Sequence, residues 1–255
     1  MHQQIQERLR QLAQERDITL LLAVETGSRA WGFPSPDSDY DVRLIYAHRP
    51  EWYLTVGTPK DSIEAMYEER MIDISGWELR KALRLLSKSN AALLERLQSP
   101  IVYAANPDFL ADVRPLADRA YSRVATLNHY LSMGQKLLAD MRAGGPDYRL
   151  KKFFYTLRCA TLCQWILDRE DVPPIVFTEA YRGVNLPVNL QQRIEALIAL
   201  KAERDEAYRH RGEAELFTFV EAAFQRAEAA RASLPAGRFT TAAFDAVLRK
   251  YIHST

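Results

Sequence analysis

The sequence predicts a mixed α/β half over residues 1–112 followed by an all-helical half over residues 113–255. Three observations carry this reading. Short apolar runs of strand length stand between Pro- and Gly-rich loops in the first half. Helical periodicity takes over from about Asn106, and the Pro-bearing stretch ANPDFLADVRP marks the seam between the two.

Ile5, Leu9, Leu12 and Ala13 recur at helical spacing until Asp17 ends the run. ITLLLAVETGS is then short, continuously apolar and closed by a Gly-Ser turn, which reads as a buried strand. RAWGFPSPD, with two prolines and a glycine, stops regular structure, and SDYDVRLIYA follows as a second strand in a hairpin-like unit with the first. After the loop HRPEWYLTVGTPKD, the next segment reads as a third strand from Ser62 through Ile74, with Asp73 at its end, and then turns helical.

The later helices are YSRVATLNHYLSMGQKLLADMRAG, YRLKKFFYTLRCATLCQWILDRE, LPVNLQQRIEALIALKAERDEAY, EAELFTFVEAAFQRAEAARASL and TAAFDAVLRKYIHST. GGPD and DVPP supply Gly or Pro where the first two of these must stop.

With 255 residues, 47% apolar and 26% charged, the chain can bury a sizeable core and has an ordinary globular composition. A net charge of +1 gives no global attraction to nucleic acid, so any polyanion has to be held by a local basic patch. Cys159 and Cys163 lie four apart on one helix face, where no disulfide can close and no histidine stands near, so both are expected in the core. The N-terminus is charged and amphipathic and no stretch is long and apolar enough to span a bilayer, so a cytoplasmic protein without a membrane partner is expected.

Asp39 and Asp41 are the residues this pattern leaves unexplained. Residues two apart on a strand share a face, and two like charges among Val42, Leu44 and Ile45 are tolerated only around a shared cation. Paired carboxylates suit a hard ion such as magnesium, and Asp73 on a neighbouring strand would complete a triad for two-metal phosphoryl transfer. Gly27 and Ser28 supply amides and a hydroxyl that phosphate oxygens can approach closely. The competing readings are a solvated edge strand or an Asp-rich turn following Ser38 for Asp39 and Asp41, and a helix N-cap near Trp77 for Asp73, a job Ser75 could do instead.

TGSRAWG, a loop, SDYDVRLIY and a later strand aspartate resemble the signature of the DNA polymerase β nucleotidyltransferase superfamily. GSRAWGFPSPDSDYDVR, WYL at residues 52–54, IDISGWELRKAL and LKKFFYTLR resemble, more narrowly, the YcgL-related, RNA-ligase-associated nucleotidyltransferases. The resemblance implies a small mixed sheet with helices and transfer of a nucleoside monophosphate from an NTP to a hydroxyl. It also implies two magnesium ions, with manganese as a substitute. Residue by residue it gives Gly27 and Ser28 to the phosphate turn, Asp39 and Asp41 to the metal pair, and Asp73 to the third carboxylate.

Arg29 is expected on the triphosphate or on Asp37, and Arg43, on the face of the aspartates, either binds phosphate or neutralises them. Lys151 and Lys152 either cap a solvated helix end or, with the resemblance in view, place one ammonium on the γ-phosphate across a cleft between the halves. Phe153, Phe154 and Tyr155 are expected in the core. The acceptor alternatives are an RNA end, favoured by family association, a protein hydroxyl or a small molecule of the antibiotic type; a nucleotide- or RNA-binding module without turnover is the other class. Neither base preference nor oligomeric state is encoded in these motifs.

Overall fold

In the computed structural model, residues 1–253 are described, the Arg70 side chain apart, and they form two compact units. The first takes residues 1–30, 39–121 and the chain from Gly237 on; the second takes Trp31–Ser38 and Ser122–Ala236.

The first unit begins with α1 (His2–Arg16), whose Ile5, Leu9 and Leu12 are buried as their spacing predicts and whose end is turned by Asp17 in the left-handed region. Then come β1 (Thr19–Glu25), α2 (Gly27–Trp31), β2 (Tyr40–Ala47), α3 (Pro50–Tyr53), β3 (Ser62–Tyr67) and β4 (Ile72–Glu78). The helices α4 (Leu79–Ser87) and α5 (Ala91–Gln98), the strand β5 (Val102–Ala105) and α6 (Pro107–Ala120) follow. The strands form one mixed sheet in the order β3-β4-β2-β1-β5, with β2 and β4 parallel and the other pairs antiparallel. β2 is therefore an interior strand, which rules out the solvated-edge reading of its aspartate. The core includes Ile5, Leu9 and Leu12 of α1 with Ala23, Val42, Leu44, Tyr46, Ile72 and Ile74 of the sheet.

Where one strand was expected from Ser62 to Ile74 there is a hairpin. Glu68 and Glu69 take positive φ (48° and 51°) and turn the chain back, a conformation that glutamates do not advertise in sequence. β4 also runs on to Glu78, past Gly76. A Cβ on Gly76 would sit 2.8 Å from Leu44 Cβ, so this glycine serves close strand approach rather than a turn. The N-cap of α4 is Glu78, whose carboxylate accepts from the amides of Arg80 (2.7 Å) and Lys81 (3.2 Å); Asp73 is a strand residue and not a cap.

The second unit holds α7 (Arg123–Ala143), β6 (Tyr148–Arg149), α8 (Leu150–Asp168), α9 (Phe177–Gly183), α10 (Val188–Ala202), β7 (Arg209–His210) and α11 (Ala214–Ala230). α7, α8 and α11 pack on one another, and Cys159 and Cys163 are buried thiols of α8, as expected. α12 (Thr241–Ile252) returns to the first unit and packs on α4 and α6; residues 254 and 255 of the expected last helix lie outside the described residues.

The single break expected at residue 112 is not where the compact units divide. The prolines that suggested a seam belong to α6: Pro107 opens it behind the N-cap Asn106, whose side chain accepts from Phe109 N at 3.0 Å, and Pro115 lies inside it. The loop Trp31–Ser38 belongs to the second unit because Phe33 is buried there, its ring 5.0 Å from that of Phe154 and 5.5 Å from that of Phe177.

Candidate active site

β1 ends at Glu25, opposite Val42, and the pairing continues one step further through Thr26, whose amide donates to the Asp41 carbonyl at 2.8 Å. The chain then turns at Gly27 with φ +64°, where a Cβ would lie 2.2 Å from Asp41 Oδ2. The Gly-Ser turn and the second aspartate of the Asp-x-Asp pair, 14 positions apart, are thus packed against each other. Ser28 is buried in the short α2 that follows.

Asp41 and Asp73 are register partners on the parallel strands β2 and β4. The Arg43 guanidinium lies between them: Nη2 donates to Asp41 Oδ1 at 2.6 Å and to Asp73 Oδ2 at 2.9 Å. Its other terminal nitrogen donates to the Asp73 carbonyl at 2.9 Å. These three side chains are 18–26% exposed, so the pair is screened from water without being sealed. Of the two roles its position allowed, Arg43 here neutralises the carboxylates.

Asp39 precedes β2 by one residue and is exposed. Its carbonyl accepts from Arg29 Nε at 2.9 Å, and the Arg29 guanidinium stands 3.8 Å from the Tyr40 ring centroid. Among the described residues no three carboxylate, histidine or cysteine side chains converge as a metal-holding group. Asp41 and Asp73 are brought together, whereas Asp39 stands outside the strand in which it was expected.

Sequence reasoning missed Glu25. Fully buried at the end of β1, it accepts the Asp41 amide on Oε1 at 2.7 Å and the Tyr103 hydroxyl on Oε2. Burial pushes its carboxyl above the usual range, against the two hydrogen bonds that favour the charged form; the nearby Asp41 pushes the same way as burial. It fixes the backbone of the strand that carries Asp41. The sequence did hold a signal, since Glu25 is the one charge in an otherwise apolar strand. Arg96 was missed likewise: buried, it donates to the Leu44 carbonyl at 3.1 Å and lies 3.5 Å over the Trp77 ring.

The remaining candidates lie in the second unit. Lys151 Nζ is 2.5 Å from Glu206 Oε2 and Lys152 Nζ is 3.2 Å from Asp140 Oδ2, so each ammonium has a carboxylate partner within its own unit. Phe153 and Phe154 are buried, and Tyr155 packs on Trp31. Glu206 also takes the Ser38 hydroxyl on Oε1 at 2.9 Å, its amide donates to the Asp37 carboxylate at 3.0 Å, and Lys201 donates to Ser35 Oγ at 2.8 Å. The Pro-rich loop between the Gly-Ser turn and Asp39 is therefore tied down at three of its residues. No helix among the described residues is long and apolar enough to cross a membrane.

YcgL of Bacillus subtilis (strain 168) is 40% identical over 206 residues, which cover 81% of this chain and 78% of that one. A crystal structure of a nucleotidyltransferase-like protein from Exiguobacterium sibiricum aligns with 98% of this chain and 80% of its own at 13% identity and a TM-score of 0.37, a likeness too distant to bear on function. The model of the RNA repair pathway DNA polymerase beta family (RlaP) matches residues 1–250. Matched over nearly its whole length and 40% identical to YcgL, the chain belongs to that family of polymerase β-type nucleotidyltransferases.

Proposed function

We propose that the protein is a magnesium-dependent nucleotidyltransferase that moves a nucleoside monophosphate from an NTP to a hydroxyl, with an RNA end as the favoured acceptor. The observation that carries this reading is the pairing of Asp41 with Asp73 on adjacent parallel strands, against the Gly27 turn. RNA is favoured over a protein or small-molecule hydroxyl by the family's description as an RNA repair pathway group.

The donor set fits a hard divalent cation: carboxylate oxygens of Asp41 and Asp73 already stand together around a positive group, and Asp39 is two residues away on exposed backbone. Asp39 and Asp41 would hold the ions, with Asp73 beside them. Bound there, magnesium would neutralise charge on the reacting phosphate and the leaving pyrophosphate. Gly27 and Ser28 face the phosphates, and the missing side chain at Gly27 keeps that approach open. Asp73 takes the proton of the acceptor hydroxyl or shares in holding the ion. The acceptor oxygen forms a bond to the α-phosphorus while the bond to the bridging oxygen breaks, and pyrophosphate leaves with that electron pair.

A second reading draws on Arg43. Its contacts to both Asp41 and Asp73 occupy oxygens that a metal would use, which favours a nucleotide-binding module without turnover.

The test is incubation of the protein with each α-labelled NTP and magnesium, with and without a mixed RNA pool. Label on RNA supports the proposal, and label on the protein itself moves the acceptor class to a protein hydroxyl. NTP binding with no label transferred to RNA, protein or small-molecule acceptors favours the binding module.

A further inference from the structure

Phe239 stands 47% exposed where the chain enters α12 and lines two cavities. The first, about 290 Å³, is lined by Arg80, Leu83 and Arg84 of α4 and by Phe244 and Leu248 of α12. The second, about 320 Å³, is lined by Leu116 and Arg119 of α6, Arg238 and Phe244. Both belong to the first unit, and Phe239 and Phe244 are common to the two. Phe244 is buried and meets Phe239 edge to face, with centroids 5.9 Å apart and planes at 87°, which steadies the exposed ring.

Three arginines stand around this ring. Arg8, Arg10, Arg142, Arg182, Arg193 and Arg211 each pair with a carboxylate. Arg84, Arg119 and Arg238 are exposed, and their guanidinium groups have, among the described residues, neither an ion pair nor a hydrogen-bond partner. One acid, Asp245, lines the first cavity and none lines the second. An exposed aromatic ring flanked by unpaired arginines is what a single strand of nucleic acid requires: a face on which a base stacks, and cations on both sides for the phosphates before and after it. A lipid surface also takes up an exposed ring among arginines, and RNA is favoured over it by the family's description as an RNA repair pathway group.

We propose that the groove formed by α4, α6 and the start of α12 binds single-stranded RNA, with one base on Phe239 and flanking phosphates on Arg84, Arg119 and Arg238. The groove is distinct from the carboxylates, since α4 starts at the opposite end of β4 from Asp73. This deepens the reading of RNA as the acceptor and rests on it. Binding is measured without NTP or divalent ion, so its failure is separate from a failure of transfer.

The experiment is fluorescence anisotropy of a labelled 12-nucleotide unstructured RNA with the full chain, over a series of salt concentrations. Phe239→Ala should weaken binding by about tenfold, and Phe239→Trp should keep it, because stacking tolerates any aromatic face. Combining Arg84→Gln, Arg119→Gln and Arg238→Gln should flatten the slope of log Kd against log salt by about two, at about 0.7 per phosphate contact on a single strand. Melting curves of each variant matched to the parent exclude unfolding as the cause. The proposal is overturned if Phe239→Ala and Phe239→Trp bind equally, or if polyglutamate of the same charge competes as well as unlabelled RNA. The latter outcome would make the groove a site for acidic protein segments.

Discussion

Asp41 and Gly27 are packed so closely that a methyl group on the glycine would fall 2.2 Å from Asp41 Oδ2, on backbone already at φ +64°. Gly27→Ala therefore strains the turn and moves the carboxylate. The left-handed backbone alone costs an alanine about 1–2 kcal/mol, which lowers the melting midpoint by on the order of 3–6 °C in a chain of this size. Nucleotidyl transfer should fall further than stability, since the displaced group is the candidate metal ligand. Thermal melts beside the labelled-NTP assay check both, and a fully active Gly27→Ala protein would remove Asp41 from the site.

Arg43 holds Asp41 and Asp73 together, so Arg43→Gln should leave two neighbouring carboxylates without their cation. The loss should be about 1–2 kcal/mol, between the values for exposed and buried pairs, because all three side chains are partly exposed. Magnesium should replace the missing charge and raise the melting midpoint more in Arg43→Gln than in the parent. Equal responses to magnesium would mean that the carboxylates do not share an ion.

Glu25 sets a pH dependence. Its carboxyl is raised in the folded chain above the ordinary value of 4.5, chiefly by burial, so the folded state binds more protons than the unfolded one above that pH. The stability it contributes is present below pH 4.5 and is lost as pH rises through the raised value. Glu25→Gln can still accept the Asp41 amide and meet the Tyr103 hydroxyl, and it should gain on the parent protein as pH rises from 4.5 towards neutral. Melting midpoints at intervals from pH 4 to 7.5 show this, and parallel curves for the two proteins would contradict it.

How far the sequence discloses the site differs residue by residue. Asp41 and Asp73 each sit in an apolar run whose alternation fixes a face, but that their strands are neighbours is set by the sheet order, which periodicity does not encode. Asp39 could not be placed, because the strand starts one residue after it and periodicity cannot locate an edge that finely. The hairpin at Glu68 and Glu69 carries no Gly, Pro or Asn to announce it. The loop Trp31–Ser38 reads as a simple breaker, yet Phe33 takes it into the second unit through contacts more than a hundred positions away, which no local pattern encodes. Lys151 reads as a spare cation for the same reason, since its partner Glu206 lies 55 positions on.

Lys201 ties that loop down and titrates opposite to Glu25. Its ammonium, buried beside Ser35, has its pKa brought down to about 8 by burial, with Glu206 pulling the other way. Between pH 8 and the ordinary 10.5 the unfolded chain binds more protons at this group, so the stability it contributes rises with pH there. Lys201→Met lacks this term. It should lose ground to the parent as pH rises from 8 to 10.5, and a constant gap between the two melting curves would contradict the assignment.

If the paired carboxylates carry nucleotidyl transfer, the rate of label transfer from an α-labelled NTP in Asp41→Asn, measured against the parent with matched melting curves, falls by about two orders of magnitude or more, the scale on which misplaced reacting groups lose rate. Transfer at an unchanged rate in Asp41→Asn would contradict it and put the chemistry elsewhere on the chain.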